Sequence, residues 1–128
     1  MIVDSSALVA IVLREPGWER LVAKLAAEDT SAVGAPTLVE TGLLLTAKMG
    51  KRAQGVLLRL LQEAGLSVIP FTEEHWRLAV ETYARFDKGR HAAALNYGDC
   101  LTSAVARLAG QPLLFVGDDF TKTDLPAA

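Results

Sequence analysis

Asp4, Glu40, Asp99 and the adjacent pair Asp118 and Asp119 stand at the ends of apolar runs spread over almost the whole chain. Asp4 closes Met1-Ile2-Val3, and Glu40 falls one turn into a helix expected to begin after Pro36. Asp99 opens the helix after Asn96-Tyr97-Gly98, while Asp118-Asp119 closes Leu113-Leu114-Phe115-Val116. In a parallel α/β sheet these ends share one edge, the edge at which ligands bind. Carboxylates brought within about 4 Å repel by roughly 4 kcal/mol per pair at an effective dielectric near 20, so a converging set stays ionised only around a cation. Oxygen ligands alone select a hard ion, Mg²⁺ or Mn²⁺. One or two such ions would polarise a phosphate and lower the pKa of an attacking water, which suits phosphodiester hydrolysis.

Each acid also has a purely structural explanation. Thr37 and Glu40 have the Thr-x-x-Glu spacing of a capping box. Asp99 could cap its helix, Asp4 could bond to the turn it starts, and Asp118-Asp119 could be a polar loop. A non-catalytic binding module of this kind is the alternative to an enzyme. The joint placement of all the acids on one expected edge favours the site. A receiver domain also clusters acids around a metal, but its acidic pair follows the first strand, whereas here the pair comes near the end of the chain.

Other chemistries lack their residues. No Gly-x-Gly-x-x-Gly follows a strand, and Gly50-Lys51 lacks the earlier glycine of a phosphate-binding loop. His75 and His91 are the only histidines and have no zinc-type spacing; His75 is expected at the surface or half-buried. Cys100, the single cysteine, has no histidine fixed beside it in sequence, which argues against a thiol nucleophile.

The elements that must carry the acids follow from periodicity and punctuation. Ile2-Val3 reads as a short buried strand, and Ser5 or Ser6 can cap a helix from about 7 to 13 that Pro16-Gly17 ends. Trp18, Leu21, Val22 and Leu25 mark an amphipathic helix over about 17–27. A weak strand over 31–35 precedes a helix from Leu38 to Met49. Val56, Leu57, Leu60, Leu61 and Ala64 mark another helix. Leu66 to Phe71 reads as a strand, and Thr72 caps a helix bearing Trp76, Ala79, Val80 and Tyr83. A loop over 89–98 leads to a helix from Asp99 to Ala109, and the last strand is Leu113 to Val116. Strands alternating with helices imply an α/β fold: a three-layer α/β/α sandwich with a mainly parallel sheet of about five strands, as one domain over residues 1–128.

With 128 residues, 51% of them apolar, the chain can bury a sizeable core. No apolar stretch reaches membrane-helix length, the N-terminus does not resemble a signal peptide, and one cysteine cannot form an internal disulfide, so a reducing cytoplasm is expected. The net charge of −2 excludes a globally basic nucleic-acid binder. A polyanion would need local cations, of which there are two groups: Lys48, Lys51 and Arg52, then Arg85, Lys88, Arg90 and His91. As a purely structural matter these are solvated helix ends.

The segments MIVDSSALVA from Met1, the helical Glu40, LNYGDC from Leu95 and LLFVGDDFTKTD from Leu113 together resemble the PIN-domain ribonucleases, and among them the VapC-type toxins of bacterial toxin–antitoxin pairs. The likeness spans the whole chain. It implies a Mg²⁺- or Mn²⁺-dependent endoribonuclease acting on transfer or ribosomal RNA, a homodimer, and inhibition by a cognate VapB-type antitoxin. The family's first three acids map onto Asp4, Glu40 and Asp99. Its fourth commonly precedes a Phe, which favours Asp119, with Asp118 the neighbour that would share or replace it. Ser6 fits the hydroxyl the family places two positions after its first Asp, and with Asn96 it would orient the ligands. Lys88, Arg90 and His91 would guide the RNA backbone. Apolar rows around Trp18, Leu44, Leu57 and Leu61 would supply a dimer face and a groove for the antitoxin.

Overall fold

Alternation along four short strands divides the core in two. In the computed structural model, which describes residues 1–86 and 95–128, β1 (Ile2–Val3), β2 (Ser31–Gly34), β3 (Leu66–Ile69) and β4 (Leu113–Leu114) form one sheet in the order β3-β2-β1-β4, every pairing parallel. Successive side chains of a strand point to opposite faces. Met1, Val3, Val33, Leu66 and Leu114 accordingly pack on one face with Leu8, Ile11, Leu21 and Leu25. Ile2 and Leu113 pack on the other with Phe86, Leu95, Val105 and Phe120. The first face is covered by α1 (Ser5–Val12), α2 (Trp18–Ala27) and α4 (Ala53–Ala64), the second by α5 (Glu73–Phe86) and α6 (Tyr97–Ala109). A third cluster joins α3 (Ala35–Met49) to α4 through Leu45, Ala53 and Leu57. This is the expected three-layer α/β/α arrangement. Among the described residues no helix is long and apolar enough to cross a membrane.

Several expectations need correction. The sheet has four strands rather than about five. The last strand stops at Leu114 because the Val116 N–H donates to the Ser6 hydroxyl instead of to a neighbouring strand. Beyond it the chain returns, and Ala127 bridges to Leu113 in parallel on that edge. The helix expected from Leu38 begins at Ala35, since a proline is tolerated in a first turn that needs no donor. Asp4, rather than Ser5 or Ser6, caps α1 by accepting the Ser6 N–H. The last long helix begins at Tyr97, two residues before Asp99, with Asn96 as its cap. Leu57 is core rather than surface, joining α3 to α4, and Leu61 packs partly buried against the cluster on the first sheet face. His75 is buried: its Nδ1 accepts the Thr72 N–H at 2.9 Å, and its ring stacks on Phe71.

Glycine is required where α6 crosses the sheet. A Cβ at Gly34 would stand 2.8 Å from Val105 Cγ2, so the smallest side chain here lets the helix lie against the end of β2.

Candidate active site

Asp4 is fixed by its place at the carboxyl end of the central strand. Its N–H donates to Leu114 O on β4, and its own carboxylate caps α1. Oδ2 accepts the Ser6 N–H at 3.1 Å and the Ser6 hydroxyl at 2.6 Å, while Oδ1 accepts the Thr102 hydroxyl at 2.8 Å. Thr102 Oγ1 in turn lies 3.0 Å from Thr37 Oγ1, both threonines fully buried. A chain of hydroxyls from α3 through α6 thus holds the Asp4 side chain in one orientation.

Asp99 occupies the third position of α6. Its Oδ2 accepts the Asn96 N–H at 3.1 Å, and Asn96 Oδ1 accepts the Asp99 N–H at 3.0 Å, a reciprocal capping box. Burial pushes the Asp99 carboxyl up to about 7, opposed by the Asn96 N–H and reinforced by the charges of Asp119 and Asp4 and a hydrogen bond shared with Asp119. Glu40 is raised as well, first by burial, with a Ser5 hydroxyl bond working against it and the Asp4 charge adding to it. Its carboxylate lies directly over Gly98, where a Cβ would come within 2.5 Å of Oε2.

Asp4 therefore stands close enough to act on both Glu40 and Asp99, and Asp119 close enough to act on Asp99. Asp118 is exposed, and its carbonyl accepts the N–H and hydroxyl of Thr121 in a turn. The capping explanations hold for Asp4 and Asp99, whose carboxylates serve helix ends and face the cluster at once. The Thr37–Glu40 capping box does not form: α3 has Gly34 at its cap, Thr37 bonds to Thr102, and Glu40 turns to Ser5. Ser6 bonds to Asp4, and Asn96 to Asp99. Thr102, Thr37, Ser5 and Gly98 were missed. Thr102 lies three residues after Asp99, on the same face of the helix, and that spacing was the available signal.

Lys48, Lys51 and Arg52 lie exposed at the far end of α3 from Glu40, as helix-end cations. Arg85 pairs with Asp124 at 3.4 Å. Lys88, Arg90 and His91 lie outside the described residues.

The donor set is oxygen throughout, the ligand type a hard divalent ion prefers, and two of its members, Glu40 and Asp99, are raised by burial first and by neighbouring carboxylates after it. Among the described residues no three acidic, His or Cys side chains stand ready-made at metal-cage spacing, so binding an ion would draw these carboxylates inward.

The sequence matches the PIN domain family over residues 1–125. It is 49% identical over 126 residues to Ribonuclease VapC36 of Mycobacterium tuberculosis, covering 98% of this chain and 91% of that one. It is 36% identical over 127 residues to Ribonuclease VapC of Mycolicibacterium smegmatis, covering 99% and 98%. Among solved structures, Mycobacterium tuberculosis VapC20, described as a sarcin–ricin loop cleaving toxin, superposes with a TM-score of 0.81 at 21% identity, covering 99% and 97%. VapBC2 of Rickettsia felis, solved with a DNA fragment from its promoter, gives 0.79 at 17%, covering 99% and 96%.

Proposed function

The chain belongs to the PIN-domain family, in its VapC ribonuclease branch, and we propose that it is a cytoplasmic toxin that cleaves RNA endonucleolytically with Mg²⁺ or Mn²⁺ and is held in check by a VapB-type antitoxin. The observation that carries this reading is the convergence of four carboxylates at the carboxyl edge of the sheet, where Asp4 adds its charge at Glu40 and both Asp4 and Asp119 add theirs at the buried Asp99. One or two ions bound there supply a polarised phosphate and an attacking water of lowered pKa. Asp4 and Asp99 bind the metal directly. Glu40 binds it or orients the attacking water, and Asp119 completes the ring. Ser6 and Thr102 hold both Asp4 oxygens, and Asn96 holds Asp99, so hydrogen bonds steady these two carboxylates before an ion would draw them together. Lys88, Arg90 and His91 guide the RNA backbone, which a protein of net charge −2 must attract locally.

Residues 1–128 act as a single PIN-like domain that pairs with a second copy. The support is an exposed apolar face formed by Leu43 and Leu44 of α3, Val80 and Tyr83 of α5 and Tyr97 of α6, beside the acidic edge. Solvated aromatic and aliphatic side chains in such number on one face mark an interface. The cleft between α1, α2 and α4, with Trp18, Val22, Leu25 and Leu60 along its walls, fits the apolar side of an antitoxin segment.

Expression in a bacterial host tests the reading. The chain alone should arrest growth, and Asp4→Asn or co-expression of a small gene encoded beside it should relieve the arrest. Equal growth arrest by the chain and by Asp4→Asn would contradict it.

A further inference from the structure

Asp119 differs from the other three acids in having no helix or strand beneath it. It is exposed, on a segment that leaves β4 through Gly117 at φ +96. Fixing such a backbone costs conformational entropy at every residue, so something must hold the loop. On one side Phe120 is buried and meets Phe115 edge-on at 5.2 Å. On the other, Asp124 accepts from both terminal nitrogens of Arg107, with Arg107 Nη1 at 3.3 Å and Nη2 closer. Between them, Thr123 Oγ1 donates to Phe120 O at 2.7 Å and accepts the Leu125 N–H at 3.3 Å.

Arg107 is itself held. Its Nε donates to Ser103 Oγ, which is fully buried, and its guanidinium lies 5.9 Å from the Phe86 ring centre. Arg85 reaches the same Asp124 carboxylate and stands 4.7 Å from the same ring. The Arg107 side chain is only 22% exposed, and its fork against a carboxylate fixes direction as well as distance. The bond from Arg107 holds the Asp124 carboxyl below its ordinary value. Asp99 and Arg107 lie on one helix, α6. That helix thus offers Asp119 its carboxylate neighbour and anchors the far end of the loop that carries it.

We propose that Arg107 and Asp124 are positioning residues: their ion pair clasps the 117–125 segment to α6 and so places Asp119 at the metal site. The inference rests on Asp119 being the fourth carboxylate. An ion pair with one partner half-exposed adds little to global stability, so the clasp acts on position far more than on folding.

Mn²⁺ affinity of the full chain by calorimetry, with the thermal midpoint measured in parallel, tests the clasp in Asp124→Asn, Arg107→Gln, the double variant and Asp119→Asn. The expected loss for each single clasp variant is about 10-fold in affinity, the scale seen for residues that orient metal ligands. The midpoint should move by no more than about 4 °C, the double variant should bind no more weakly than either single one, and Asp124→Glu should recover most of the loss. Asp119→Asn weakened with Asp124→Asn unchanged would overturn the clasp alone. Asp119→Asn unchanged would overturn the assignment of Asp119 and the clasp with it. A loss of affinity in Asp124→Asn that merely follows a collapse in the midpoint would reduce the pair to a structural tie and overturn its positioning role.

Discussion

Asp99 is pushed well above the ordinary carboxylate range, and the direction has a consequence for pH. Its carboxyl, ordinarily at 3.8, is pushed up to about 7, by burial first and by Asp119 and Asp4 after it. The folded metal-free chain therefore holds this proton more tightly than the unfolded chain does. Its contribution to stability is full below the ordinary value and is lost as pH rises through about 7. A divalent ion takes the proton's place, so Mg²⁺ should stabilise the protein markedly at pH 8 and little at pH 5, as read by denaturant midpoints with and without the ion. Thr102→Val should uncouple Asp4 without emptying the core: about 1 kcal/mol of stability and roughly 10-fold in Mn²⁺ affinity, read by calorimetry. At this scale the acids were legible because strand and helix ends leave a mark in the sequence. Thr102 shares a helix face with Asp99, three residues on, but its partner Asp4 lies 98 positions away, so the spacing alone did not reveal the bond. His75 was misplaced for a similar reason, its burial decided by Phe71 and the Thr72 N–H.

At the scale of elements, the site depends on how closely α3 and α6 approach. Gly98→Ala would drive a methyl onto Glu40 Oε2, the mobile end of a side chain, so the protein should fold while the carboxylate is displaced. A shift of about 1 Å can cost on the order of 100-fold in rate, and RNA cleavage kinetics should lose about that much with the thermal midpoint nearly kept. Gly34→Ala should do the reverse. Its Cβ meets the branched Val105 in the core, and overpacking of this sort costs roughly 1–3 kcal/mol, visible as a lowered denaturant midpoint. The alternation of strands and helices, and with it the layering, was readable from periodicity. Strand ends were not. The apolar run Leu113-Leu114-Phe115-Val116 looks uniform, yet the Ser6 hydroxyl captures the Val116 N–H and ends the pairing early. The start of α3 was hidden by Pro36, which reads equally as a breaker or as a first-turn residue.

For the whole molecule, the sequence held the right apolar residues but not which way they face. Leu57 turned inward, while Leu43 and Tyr97, 68% and 77% exposed, are on the face beside the acidic edge. A charge placed there, as in Leu43→Asp, should leave the fold intact and convert a dimer to monomers in light scattering; a monomer in the unaltered chain at tens of micromolar would contradict the pairing. Hydrolysis of RNA at the acidic edge is the activity on which the proposed function rests. The most direct measurement is incubation of total cellular RNA with the purified chain in Mg²⁺, Mn²⁺ or EDTA, beside Asp99→Asn. Discrete cuts that require the metal and disappear in the variant are the expected result. Cuts equal in the variant and in EDTA, or none from the active preparation, would contradict it and leave Asp4 and Asp99 as helix caps alone.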